Sequence, residues 1–459
     1  MTSRSSKLQL QTTLVEPSLS SSPAWQITLT IDGKYLAVCF GNPDTCVKIW
    51  ESLPCSSLDA NPDVHKSSSS NSSYEWKLLT TIQEGHSRTI RSLSFAPISN
   101  GILGKDSPPI LATASFDGKV MIWEYYEDES ESDNNYVQDS KNESERGIVK
   151  RGAYECTSQL EGHENEVKCL AWNATGSLLA SCGRDKTIWI WECFLPGTIG
   201  GESNVPSSEE EGEFECLSVL QGHDGDIKYI VFAPSNGIWG EGEEILLSAG
   251  YDNSIKVWAE EGDGDWYCAA TLGVGDGPLP SLGEAGGSNK GDVHSSTVWC
   301  LGVAPGGVRF LSGSEDGSVA IWKCYTANER KRLFPNERAV SSTDGLWSCV
   351  GVLPNAHSGY AILSIDCAPS RAGHGRIVSG GGDNSIHIYR EEMPCEDSKE
   401  SNGSGMNFAS IGPKFAYDAV AVDAHTGDVN CVKWHPKDGR CLISAGDDGA
   451  VKVWKYTRE

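Results

Sequence analysis

One constellation recurs along this chain at a spacing that chance does not produce. A His precedes a strand-like run. A Ser or Thr follows, then an Asp four residues on and an aromatic residue six further on. The clearest copy is His163, Ser181, Asp185, Trp191, in GHENEVKCLAWNATGSLLASCGRDKTIWIW. The others are His86, Thr113, Asp117, Trp123; His223, Ser248, Asp252, Trp258; His294, Ser312, Asp316, Trp322; His357, Ser379, Asp383, Tyr389; and His425, Ser444, Asp448, Trp454. A degenerate first copy keeps only Asp44 and Trp50. Each residue type suits one task. Asp tolerates a tight turn and accepts backbone N–H groups. Trp brings an apolar body and an indole N–H that needs a partner. Ser or Thr and His can join the two in one hydrogen-bonded chain, and buried polar groups must be satisfied together. The His and Asp residues therefore read as structural rather than catalytic.

The set resembles the WD40 structural tetrad, and the resemblance spans nearly the whole chain. Seven copies imply an all-β, seven-bladed WD40 β-propeller as a single domain over residues 1–459. The last copy stops just after its third strand at Trp454, so it lacks an outer strand. The alternating run Leu8–Val15 (LQLQTTLV) can supply that strand, closing the ring in the last blade with both chain ends. Seven repeats of about 40–45 residues need only about 300. The surplus falls in loops near 51–73, 125–152, 193–212, 273–293, 323–345 and 391–413. They are rich in Ser, Gly, Asp and Glu and read as disordered insertions. Most join the third strand to the fourth, on the bottom face. The stretch at 273–293 lies on the top face, whose loops are otherwise tight.

The net charge of −26 repels nucleic acid and anionic membranes. Met1–Gln11 has no apolar core of a signal peptide, and no run is long enough to span a membrane. The expected compartment is the cytoplasm, and the nucleus in addition. The 16 Cys never occur as Cys-x-x-Cys, so no zinc or cluster-ligand spacing is present. Cys169, Cys182, Cys300, Cys431 and Cys441 read as buried core thiols. Neither a resident metal nor a cofactor is expected.

Against this charge, one rim gathers cations. The residue five after each repeat His starts the innermost strand near the channel mouth. These positions read Arg91, Lys168, Lys228, Trp299, Ile362 and Asn430, with Trp25 as the equivalent in the first repeat. Arg184, just before Asp185, adds a cation on the neighbouring turn, and Tyr251 stands at the same turn of the next blade. Arg pairs with carboxylates bidentately, and Arg with aromatics is the composition of binding hot spots. The rim reads as a pocket for an acidic, aromatic peptide end. For any one residue, a solvated surface cation is an equally good account.

The strings VKCLAW, SCGRDKTIWIWE, GHDGDIKYIVFAP, GDWYCAATL, HSSTVWCL and DVNCVKWHP resemble one WD40 family in particular. It is the propeller subunit of the cytosolic iron–sulfur protein assembly (CIA) targeting complex. Trp25, Arg91, Lys168, Arg184, Lys228, Trp299 and Asn430 match that family's pattern. The resemblance implies a non-catalytic scaffold. Its partners would be a SufT-like adaptor subunit, a HEAT-repeat scaffold, an iron-hydrogenase-like Fe–S carrier and apo Fe–S client proteins. A client end with an aromatic next to an acidic residue would suit the rim. The long insertions, the weak first repeat and Tyr389 in place of Trp depart from the family.

Two other classes fit less well. A ubiquitin-ligase substrate receptor often carries Trp-Asp-x-Arg, but Glu, Glu, Ala, Lys and Lys follow the five tetrad Trp residues. A propeller hydrolase would need a nucleophile elbow, phosphate loop or metal pair, and the sequence has none.

Overall fold

A computed structural model of the chain describes residues 6–17, 22–54, 74–97, 108–127, 152–194, 213–238, 240–262, 264–274, 292–326, 328–329, 346–369, 375–392 and 414–458. The described residues form seven four-stranded antiparallel sheets. In chain order blades 1 to 6 span residues 24–82, 90–160, 167–221, 227–272, 298–353 and 362–421. Within each, strands a to d run from the axis outward. Blade 7 takes its strands a to c from residues 429–458 and its outer strand from Ser6–Val15. That strand pairs antiparallel with Val451–Arg458, from Ser6 opposite Arg458 to Val15 opposite Val451. The chain ends thus close the ring in the last blade. Tyr456 fixes this seam, its hydroxyl donating to Asp418 Oδ2 at 2.6 Å while Ser6 Oγ donates to Oδ1 at 3.0 Å.

The b strands are almost wholly buried, because each is covered by a neighbouring blade on both faces. Their Val, Ile, Leu and Ala residues enter the inter-blade cores, such as Ala112 and Ala114 in one and Ile245 and Leu247 in another. A polar seam runs round the inner strands. Leu93 N–H donates to Gln26 Oε1 at 3.1 Å and Leu170 N–H to Ser92 Oγ at 3.1 Å. The Cys169 thiol donates to the Ile230 carbonyl at 3.7 Å, and Ile27 N–H donates to Cys431 Sγ at 3.4 Å. These cysteines are buried, and they also tie each inner strand to the next blade. Burial pushes the thiols of Cys39 and Cys441 up to about 12.

The b–c turns share one backbone device. The residue after the tetrad Asp has positive φ in blades 2 to 7, as Gly118, Lys186, Asn253, Gly317, Asn384 and Gly449. Gly and Asn enter that region at least cost.

The strands reach into the predicted insertions. Strands c continue to Pro54, Glu127, Phe194, Tyr325 and Glu392, so those boundaries move inward. The reason is pairing: strand d continues the c–d ladder past the tetrad, for example Phe194 opposite Glu213. Most of the remaining insertion residues lie outside the described residues, including nearly all of 273–293. No helix among the described residues is long and apolar enough to cross a membrane.

Candidate functional site

The tetrads set the geometry of the top face. In blade 3, Trp191 Nε1–H donates to Ser181 Oγ at 3.1 Å, which turns the hydroxyl proton to His163 Nε2 at 2.9 Å. His163 Nδ1–H then donates to Asp185 at 2.7 Å. In blade 4 the same chain runs Trp258, Ser248, His223, Asp252 at 2.8, 2.7 and 2.7 Å. Indole N–H is donor-only, so it fixes the direction of every proton in the chain. Burial disfavours the charged carboxyls of Asp185 and Asp252. The His N–H and turn hydrogen bonds outweigh it and hold both below the usual carboxylate range.

Two copies depart from the pattern. In blade 1, Trp50 stands opposite Leu36, as Trp191 stands opposite Leu179. Val38 occupies the Ser place, because it pairs with Ile27 as Ser181 pairs with Leu170. The turn is longer here, Asp44 is exposed, and its six-residue spacing to Trp50 does not make it a tetrad Asp. In blade 6, Ile362 rather than the following residue pairs with Gly381, so Ile362 is buried before the rim and Leu363 takes the rim place. The cause is one extra residue after His357, in a turn with positive φ at Ser358 and Gly359.

The predicted rim residues fall into two groups. Lys228 is buried between two rings, its Nζ 3.6 Å from the Tyr251 centroid and 4.9 Å from that of Trp299. Those rings meet edge to face at 6.0 Å. Burial, with repulsion from Lys168 and Arg91, brings the Lys228 ammonium down to about 8 even though Asp226 lies 3.9 Å away. Arg91 stacks 4.8 Å over Trp25. Lys168 donates to Glu166 at 2.8 Å and lies 4.7 Å over Phe116. Arg184 is 56% exposed, with Glu166 3.7 Å away. Asn430 stands apart, its amide donating to the Ala24 carbonyl at 3.1 Å and to Asp447 at 2.7 Å. The Trp299 indole donates to Glu315.

Three residues here escape sequence reasoning. Arg88 donates to Glu166 at 3.1 Å and to the Phe116 carbonyl at 2.6 Å. Thus Glu166 is shared by Lys168, Arg88 and Arg184, and one carboxylate serves three cations. Burial raises the Glu166 carboxyl, but Lys168 and the two Arg residues outweigh it and hold it low. Phe116 was discoverable, because it precedes Asp117 as Arg184 precedes Asp185 and Tyr251 precedes Asp252.

Fold and site thus define a WD40 propeller with a cationic, aromatic top rim. Residues 76–124, 154–192, 214–259, 290–323 and 419–455 match the model of the WD domain, G-beta repeat. The matched segments omit strands a to c of blades 1 and 6, the two blades whose tetrads depart. The chain is similar to proteins named "Probable cytosolic iron-sulfur protein assembly protein 1". The Botryotinia fuckeliana protein is 31% identical over 90% of this chain and 95% of its own length. That of Debaryomyces hansenii is 31% identical over 89% and 96%, and that of Neurospora crassa 28% over 90% and 94%. The chain belongs to this cytosolic iron–sulfur protein assembly protein 1 family.

Proposed function

We propose that this protein is a non-catalytic docking scaffold of cytosolic iron–sulfur protein assembly, and that its top rim receives an acidic, aromatic peptide end. The observation that carries the site is the surplus of cations at Glu166 in a chain of net charge −26. An incoming carboxylate would take up the surplus charge of Arg184 and Lys168, which share the single carboxylate of Glu166 with Arg88. An aromatic side chain would pack on Tyr251 and Trp299, beside Lys228. The partners are a SufT-like adaptor, a HEAT-repeat scaffold, an iron-hydrogenase-like carrier and apo Fe–S clients, in the cytoplasm.

Capture from cytosol with tagged full-length protein, read by mass spectrometry, tests the role. Wild type is expected to retain the adaptor and iron–sulfur proteins. Arg184→Glu is expected to melt alike, keep the adaptor and lose part of the client set. Cullin adaptors in place of cluster-assembly proteins would contradict the reading.

The site also predicts a pH dependence. Lys228 has a depressed pKa, so the free rim loses this charge as pH rises through about 8. A bound carboxylate favours the charged form, so acidic-peptide affinity is highest below that value. It should weaken roughly tenfold about one pH unit above it. Fluorescence anisotropy across this range checks it, and a flat profile would remove Lys228 from the site.

A further inference from the structure

Blade 6 carries a tetrad unlike the other five, and the difference frees ligand atoms. In blades 2, 3, 4, 5 and 7 the indole of Trp123, Trp191, Trp258, Trp322 or Trp454 donates to the Ser or Thr oxygen at 2.8–3.1 Å. That donation makes the hydroxyl point at His Nε2 and leaves the proton on Nδ1. In blade 6 the aromatic residue is Tyr389, and its hydroxyl donates instead to the Ala356 carbonyl at 2.6 Å. Ser379 Oγ, 2.8 Å from His357 Nε2, is then able to accept a hydrogen bond from an Nε2–H. His357 can hold its proton on Nε2 and present a lone pair at Nδ1, 2.7 Å from Asp383.

A second histidine stands on the other side of that carboxylate. His387 Nε2 lies 3.4 Å from Asp383 Oδ2, and His387 Nδ1 lies 3.4 Å from the Tyr389 hydroxyl oxygen, to which it can donate. In the other five tetrads the Asp carboxylate also accepts the backbone N–H of the residue after the His, Ser87, Glu164, Asp224, Ser295 or Thr426, whereas Ser358 N–H donates to the Asn355 carbonyl. Two imidazole nitrogens and a carboxylate oxygen therefore converge, all within 4.8 Å of one another. The far nitrogen of each ring has an oxygen partner, the arrangement that orients metal-bound histidines.

We propose that His357, Asp383 and His387 bind a divalent transition-metal ion of the zinc class, leaving open coordination positions. Two neutral imidazoles and one carboxylate suit such an ion, with ligand bonds of about 2.0–2.2 Å. The shift of His357 from one neutral tautomer to the other releases no proton. The ion replaces the Nδ1–H as the group facing Asp383.

Titration of the reduced full-length protein with Co2+ tests this. The wild type is expected to bind one equivalent, with a visible ligand-field band, no thiolate charge-transfer band, and displacement by Zn2+. His387→Lys installs the residue found at this strand position in blades 4 and 7, where Lys256 and Lys452 stand opposite the tetrad Ser. Its fold should hold, and its affinity should fall by more than the roughly 100-fold typical of outer-shell changes. Tyr389→Trp restores the indole donor, locks the proton on His357 Nδ1, and should weaken binding roughly tenfold. No stoichiometric binding by wild type, a thiolate band, or wild-type affinity in either variant would overturn the site.

Discussion

Trp322→Ala is expected to destabilise the protein by about 4 kcal/mol, a large share of the stability of an ordinary domain. Trp322 is fully buried. Its ring stacks on Phe310 at a centroid distance of 5.8 Å and belongs to the core shared by blades 4 and 5. Truncation removes that apolar area and leaves a cavity. It also removes the indole that donates to Ser312 Oγ at 2.9 Å, so the hydroxyl loses the partner that orders it toward His294 at 2.7 Å. The two losses are coupled, because the buried polar chain was satisfied only as a whole. Trp322→Phe keeps most of the apolar burial and loses the donor, so it should cost less. Denaturant unfolding monitored by far-UV circular dichroism measures both. A cost below about 1 kcal/mol for the Ala variant would mean that the tetrad does not hold the blade.

The fold was legible because each tetrad is local. Its four residues lie within 28 to 37 positions of one another, and the last three keep fixed spacings. Ring closure followed from the missing outer strand and the alternating run at the N-terminus. Legibility failed where a turn changed length. The longer b–c turn of blade 1 put Asp44 six residues before Trp50 without placing it in a tetrad. The extra residue after His357 moved Ile362 off the rim. Both are backbone events, and side-chain identity does not record them. The rim was half legible. Arg91, Lys168, Lys228 and Trp299 followed from their register on strand a, and Arg184 and Tyr251 from the turn. The sharing of Glu166 among Lys168, Arg88 and Arg184 depends on side chains reaching across from blade 2 to blade 3. No spacing within one repeat encodes a contact between repeats. The second histidine of blade 6 was hidden for a similar reason, since the consequence of Tyr389 appears only when its hydroxyl is seen to turn away from Ser379.

The rim makes the second large prediction. Arg184 is exposed and outside the core, so reversing its charge should not disturb folding. Lys228→Met keeps an apolar stem between Tyr251 and Trp299 while removing the charge. Each change removes one cation facing the proposed carboxylate, and such anchors are individually worth more than about 1 kcal/mol at interfaces. The most direct measurement is the affinity of the full-length protein for an acidic peptide ending in a free aromatic residue, by fluorescence anisotropy. Wild type should bind it, and the Arg184→Glu, Lys228→Met double variant should melt alike and bind about 100-fold more weakly. Equal affinity in the double variant, or no binding by wild type, would contradict the assignment of the top rim as the docking site.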